Sequence, residues 1–176
     1  MNRLKLFIPL IVFVVLAGFF WWSLSSGYNP QDLPSALIDK RVPAFSLPRL
    51  DDESQLTSHQ DLLGELALVN IWATWCVACK VEHPFLNQLA QSGIRIVGLN
   101  YKDDSQAARQ WLQELGNPYR WNIVDQQGRL ALDLGVYGAP ETYLLDRDGI
   151  IRYKHVGIID QQVWDTKFLP IINTMN

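Results

Sequence analysis

Between Leu6 and Leu24 the chain carries no charge and almost no polar residue. A helix of about 20 apolar residues crosses a hydrocarbon layer of ~30 Å, so this run predicts a membrane-spanning segment. Arg3 and Lys5 stand before it, and Trp21 and Trp22 stand at its far end, where amphipathic rings favour the headgroup region. Pro9 lies near one end, where a membrane helix tolerates it. A cleaved signal sequence has a shorter apolar core, ~7–15 residues, and ends in small residues rather than two Trp. The expectation is an uncleaved anchor over residues 1–27, with the N-terminus in the cytoplasm and everything after it outside. Asn29-Pro30 and Pro34 then mark residues 28–41 as a tether, and one globular domain is expected over 42–176.

Within that domain the apolar positions change period repeatedly. Ala44 to Leu50, bounded by Pro43 and Pro48, predicts a short edge strand, and Leu56 to Leu63 a short helix capped by Thr57 or Ser58. Leu66 to Ala73 is a continuous, mostly apolar run, the pattern of a central strand buried on both faces. Residues 76–91 predict a helix whose apolar face is Phe85, Leu86 and Leu89. Ile94 to Leu99 is the next strand, and Ser105 to Leu115 a helix stopped by Gly116 and Pro118. Trp121 to Val124 and Leu130 to Leu134 predict a strand and a short helix. Thr142 to Leu145 and Ile150 to Val156 flank Asp146-Arg147-Asp148-Gly149, which predicts a β-hairpin. Gln161 to Ile172 closes the chain as a helix. Strand–helix–strand units imply parallel pairing and the hairpin adds antiparallel strands, so the fold class is α/β: a mixed sheet flanked by helices.

Composition narrows the function. Nearly half of the 176 residues are apolar and the net charge is −3. Nothing basic clusters outside the extreme N-terminus, which argues against nucleic-acid binding. The chain has two Cys, Cys76 and Cys79. So close a pair closes almost no loop and adds little stability as a staple, so it reads as a chemical device. Zinc wants four ligands, and His59, His83 and His155 have no ligand spacing to the pair, so no metal or other cofactor is expected.

The pair follows a buried strand and opens a helix. The first N–H groups of a helix lack partners and its dipole is positive there, so a thiolate is stabilised. Cys76, at the tip, is expected to be the exposed nucleophile, and Cys79, one turn deeper, the resolving thiol that releases a mixed disulfide.

The segment Trp72-Ala-Thr-Trp-Cys-Val-Ala-Cys-Lys80 resembles the active-site core of the thioredoxin superfamily. Pro84 matches its helix-kinking proline, and Gly138-Ala139-Pro140 its cis-proline loop. Val69 to Cys76, Glu82-His83-Pro84, Gly116 to Tyr119 and Gly135 to Tyr143 look like the periplasmic branch that serves cytochrome c maturation, the CcmG/DsbE type. The likeness covers roughly Val42 to Trp164.

The resemblance implies a thioredoxin-like fold with an inserted αβ unit. It implies a membrane-anchored periplasmic thiol–disulfide oxidoreductase of the inner membrane. Its partners would be apocytochrome c, or a thiol-carrying maturation partner, and a DsbD-type membrane electron donor. It also implies that Trp75, Ala139 and Pro140 meet the substrate. Thioredoxin has a buried Asp six positions before its first active-site Cys, where this chain has Asn70. An amide cannot accept a proton, so Glu82 and Glu141 are expected to serve Cys79 in that role. His83 reads as a surface helix residue, Trp72 as core, and Thr74 with Trp75 as the rim of the site.

Three other functions compete. One is a general periplasmic reductant or oxidant. Another is a peroxiredoxin-like peroxidase, disfavoured because Ala73 stands where peroxidases carry Thr or Ser. The third is a non-catalytic binding module.

Overall fold

A computed structural model describes residues 7–25 and 35–175. The chain divides into two units, Met1–Asp32 and Leu33–Asn176. In the first, helix α1 runs over Ile8–Ser25 without a buried residue. It is the one helix among the described residues long and apolar enough to cross a membrane. Its 18 residues rise about 27 Å, close to the thickness of a hydrocarbon core. The flanking charges Arg3 and Lys5, and tether residues 28–34, lie outside the described residues.

In the second unit, residues 35–41 are already packed ahead of Val42. Leu37 and Ile38 rest on the core. The Asp39 N–H donates to the Ile151 carbonyl at 2.8 Å, and the Val42 N–H to Gly149 at 3.0 Å.

The strands are β1 (Ser46–Pro48), β2 (Leu56–Ser58), β3 (Ala67–Trp72), β4 (Ile96–Tyr101), β5 (Asn122–Asp125), β6 (Glu141–Leu145) and β7 (Ile151–Val156). The helices of this unit are α2 (Val77–Gln91), α3 (Ser105–Leu115), α4 (Arg129–Leu134), α5 (Gln161–Val163) and α6 (Leu169–Thr174). The main sheet has the order β5-β4-β3-β6-β7. Strands β3, β4 and β5 run parallel, while β6 and β7 are antiparallel to their neighbours. This is the expected mixed α/β sheet.

All six residues of β3 are buried. Successive side chains point to opposite faces, so Leu68 and Trp72 join one core cluster while Val69 and Ile71 join the other. Helix α2 covers the first face with Cys79, Glu82, His83, Leu86 and Leu89. That spacing of three and four residues is one helical stripe. Asn70 therefore points, fully buried, from the middle of the sheet into the layer beneath α2.

Two elements differ from the pattern-based expectation. Leu56 to Leu63 is not one short helix. Leu56–Ser58 pairs antiparallel with β1, and a 3-10 turn covers His59–Leu62. The Asp61 carboxylate accepts from the Ser58 N–H at 2.7 Å and the Thr57 hydroxyl at 3.1 Å. This capping box begins the turn at His59 and leaves the upstream residues extended. The closing helix contains a π turn, Trp164–Phe168, in which the Leu169 N–H donates to the Trp164 carbonyl. Pro170 follows directly and has no N–H to give to the preceding turn, which accounts for the irregularity there.

Candidate active site

Strand β3 ends at Trp72, and the chain turns through Ala73-Thr74-Trp75 before α2 begins. Asp103 fixes this turn. Its carboxylate accepts from the Thr74 N–H and the Thr74 hydroxyl, both at 2.6 Å, and from the Asn100 amide at 2.9 Å. The Trp75 indole N–H donates to the Lys102 carbonyl at 3.1 Å, leaving the ring on the surface. Thr74 and Trp75 thus form the rim. Asp103, two residues past β4, carries no motif of its own in the sequence.

Cys76 caps α2, and its sulfur accepts the Cys79 N–H at 3.0 Å. The two sulfurs form a disulfide of 2.08 Å. The expected exposure of Cys76 needs correction in degree: it is 5% exposed against 1% for Cys79. The pair is recessed, with Cys76 the more accessible member. This N–H is aimed at the Cys76 sulfur at the positive end of α2, the setting that favours a thiolate.

Glu82 lies one turn past Cys79 on the same buried stripe of α2, within the range at which i and i+3 side chains meet. Its carboxylate accepts from the Asn70 amide and from the Ile159 N–H, each at 2.9 Å. Burial pushes its pKa up to about 7, against the lowering pull of those two hydrogen bonds. A carboxyl poised there exchanges protons at neutral pH. His83, expected on the surface, is instead 2% exposed. Its Nε2 lies 2.8 Å from the Gly116 carbonyl and its ring meets Trp111 edge-on, because the stripe that buries Glu82 is wide enough to include its neighbour. Burial holds the His83 pKa below the usual imidazole value.

The Ala139–Pro140 bond is cis, as the resemblance implies. Glu141, which follows it, is fully buried and surrounded by donors. One oxygen accepts from the N–H groups of Tyr137 at 2.7 Å and Gly138 at 3.3 Å. The other lies 3.0 Å from the Lys154 ammonium, which also donates to the Gly135 carbonyl at 2.7 Å. These partners occupy both oxygens of Glu141. Its side chain turns back onto its own loop, and on β6 it occupies the face opposite Asn70 and Glu82. Adjacent strand positions alternate faces, so Glu141 and the Asn70-facing Thr142 lie on opposite sides of β6. Lys154 and Asn70 complete the surroundings of the two acids. Lys154 escapes sequence reasoning because only strand register brings it diagonal to Glu141.

A redoxin family model matches residues 38–167. The chain belongs to the redoxin family. Among redoxin relatives, it is 52% identical to the thiol:disulfide interchange protein DsbE of Pseudomonas aeruginosa over 171 residues, which are 97% of this chain and 94% of the relative. It is 50% identical to the DsbE of Escherichia coli K12 over 175 residues, 97% of this chain and 95% of that one. The fold is shared with a secreted thiol-disulfide isomerase from Corynebacterium glutamicum at a TM-score of 0.67 and 21% identity, covering 83% of this chain and 96% of the other. The chain is a thiol–disulfide oxidoreductase whose Cys76–Cys79 pair is the exchanging dithiol.

Proposed function

We propose that this oxidoreductase is held at the inner membrane by α1 with its catalytic unit in the periplasm, and that it reduces the haem-attachment cysteines of apocytochrome c, or of a thiol partner that serves them. The observation that carries this reading is the near-full-length identity to DsbE relatives together with an apolar, unburied α1. A reductant in an oxidising compartment needs electrons from outside it, and a membrane electron donor of the DsbD type meets that need. In this reading Cys76 attacks the substrate disulfide and forms a mixed disulfide with one substrate sulfur. Cys79 loses its proton to Glu82, attacks Cys76 Sγ, and expels the reduced substrate thiolate. Trp75, Ala139 and Pro140 line the approach, and Glu141 holds the loop that carries Ala139 and Pro140.

The test is the equilibrium potential of the full chain in detergent, measured with its exchange against an oxidised Cys-x-x-Cys-His peptide. A potential near the reducing, thioredoxin-like end of the range is expected, with transfer of electrons to the peptide. A potential near the strongly oxidising end would make the protein a disulfide donor and overturn the reductant reading.

The anchor has its own test. The mature protein is expected in the membrane fraction with its first segment attached, resisting extraction by high salt and released by detergent. A soluble product beginning near Ser26 or Gly27 would make α1 a removed leader.

A further inference from the structure

The hydrogen bonds around Asn70 have a direction. The Tyr119 hydroxyl donates to Asn70 Oδ1 at 2.8 Å. Asn70 Nδ2 donates to Glu82 Oε1 at 2.9 Å and to the Thr142 hydroxyl oxygen at 3.0 Å. Tyr119, Asn70, Glu82 and Thr142 are all buried. An amide oxygen only accepts and an amide nitrogen only donates, so the phenol O–H decides which end of Asn70 faces Glu82.

We propose that Tyr119 is a positioning residue for the reaction: its hydroxyl locks the Asn70 amide with Nδ2 toward Glu82, so that Glu82 is met by a donor and favours its ionised, proton-accepting form. This deepens the proposed function and rests on Glu82 as the acceptor of the Cys79 proton.

The geometry supports a lock rather than a loose contact. Asn70 uses both amide hydrogens and its oxygen, so rotating the amide would break three bonds at once. Burial keeps Tyr119 neutral by raising its pKa well above the usual phenol value, with the Glu82 charge adding to the rise, so its hydroxyl remains a donor. The ring is fixed by stacking on Trp72 at 5.5 Å. Phe at position 119 keeps that stacking and deletes only the donor. The amide oxygen is then free to turn toward Glu82, where it accepts from a protonated carboxyl and disfavours the carboxylate.

Other titratable groups on the elements packed here point elsewhere or take part directly. Cys79 is the proton source. His83, next on α2, faces the Gly116 carbonyl and Trp111. His155, on β7 opposite Thr142, lies with its Nε2 3.1 Å from the Ile158 carbonyl. Asp160, beside Ile159, caps α5 through the Val163 N–H.

The experiment compares the full chain in detergent with its Tyr119→Phe variant, following Glu82 by carboxyl 13C NMR and the resolution step by stopped flow. The Glu82 titration is expected to move up by about one pH unit, and resolution at pH 6 to fall roughly tenfold while rates above pH 9 converge, as the loss of ionised Glu82 requires. Near-UV circular dichroism of the stacked Trp72 reports whether the variant keeps its packing. An unmoved Glu82 titration in the folded variant would overturn the proposal. A moved titration with an unmoved resolution profile would uphold the lock and sink Glu82 as the acceptor, so the two failures are distinguishable. Should the variant fail to fold, the native chain decides. Both Asn70 side-chain N–H resonances must track the Glu82 titration and a slowly exchanging Tyr119 hydroxyl proton must be visible; Asn70 resonances indifferent to Glu82 would overturn the lock.

Discussion

Replacing Lys154 with Met is expected to destabilise the catalytic unit by about 3–5 kcal/mol at pH 8, the range found when one partner of a buried ion pair is removed. The side chains of Lys154 and Glu141 are 3% and 0% exposed, and their charged atoms lie 3.0 Å apart. The ammonium also lies 4.4 Å from the centre of the Tyr137 ring, a cation–π contact. Met fills most of the space but supplies no charge. Glu141 would then remain buried with backbone N–H groups and no cation. Urea unfolding measures the deficit, and a loss below about 1 kcal/mol, the scale of an exposed pair, would mean that the two charges do not support one another.

The same pair offers a sharper measurement. Glu141→Gln alone leaves an unpaired buried ammonium, so it too should be strongly destabilising. The double change Glu141→Gln with Lys154→Met removes both charges, and its loss should fall below the sum of the single losses by about 2–3 kcal/mol. Additive losses would mean that the two charges do not support one another. Because Glu141 binds the N–H groups of Tyr137 and Gly138, loosening it frees the loop that approaches the sulfurs. Slower formation of the mixed disulfide is therefore expected in both single variants.

Much of this site is legible in the sequence because local rules determine it. A buried strand that runs into Cys-x-x-Cys at the head of a helix needs no tertiary information to be read, and neither does the hairpin around Asp146 to Gly149. The parts that escape depend on which strands become neighbours. Glu141 reads as a candidate proton acceptor because it follows Pro140, yet register sets it near Lys154 on the far face of β6. Asn70 reads as a missing acid. In the fold it is the hub that joins Tyr119, Thr142 and Glu82, residues 49, 72 and 12 positions away. His83 reads as a surface residue because it is polar itself and follows Glu82, whereas the buried stripe of α2 is broad enough to include both. The segment at Leu56 reads as helical from its cap. What decides is a strand partner, β1, that no local pattern around Leu56 announces.

Glu82→Gln is expected to slow resolution of the mixed disulfide roughly a hundredfold at pH 7, within the span that a positioned general base contributes. Attack by Cys76 should be much less affected, since its thiolate rests on the helix N-terminus. The parent protein should resolve faster as pH rises through about 7, the Glu82 value, and the variant should lose that limb. Stability gives an independent reading with a defined sign. A Glu side chain titrates near 4.5 when unfolded, and Glu82 at about 7 when folded. Between those values the folded state holds the extra proton, so stability falls as pH rises through the window. Above it, ionised Glu82 costs about 3 kcal/mol relative to acid conditions. Gln has no charge to desolvate, but its amide nitrogen must meet a donor in either orientation, the Asn70 amide or the Ile159 N–H, a clash that costs about 1–2 kcal/mol. Glu82→Gln should therefore be more stable than the parent at pH 8 by about 1–2 kcal/mol, and equal or less stable at pH 5. If resolution keeps its normal rate from pH 5 to pH 9, water or a substrate group takes the Cys79 proton. If the stability difference is the same at both pH values, Glu82 does not ionise in this window, and a carboxyl that stays in one protonation state cannot serve as the acceptor.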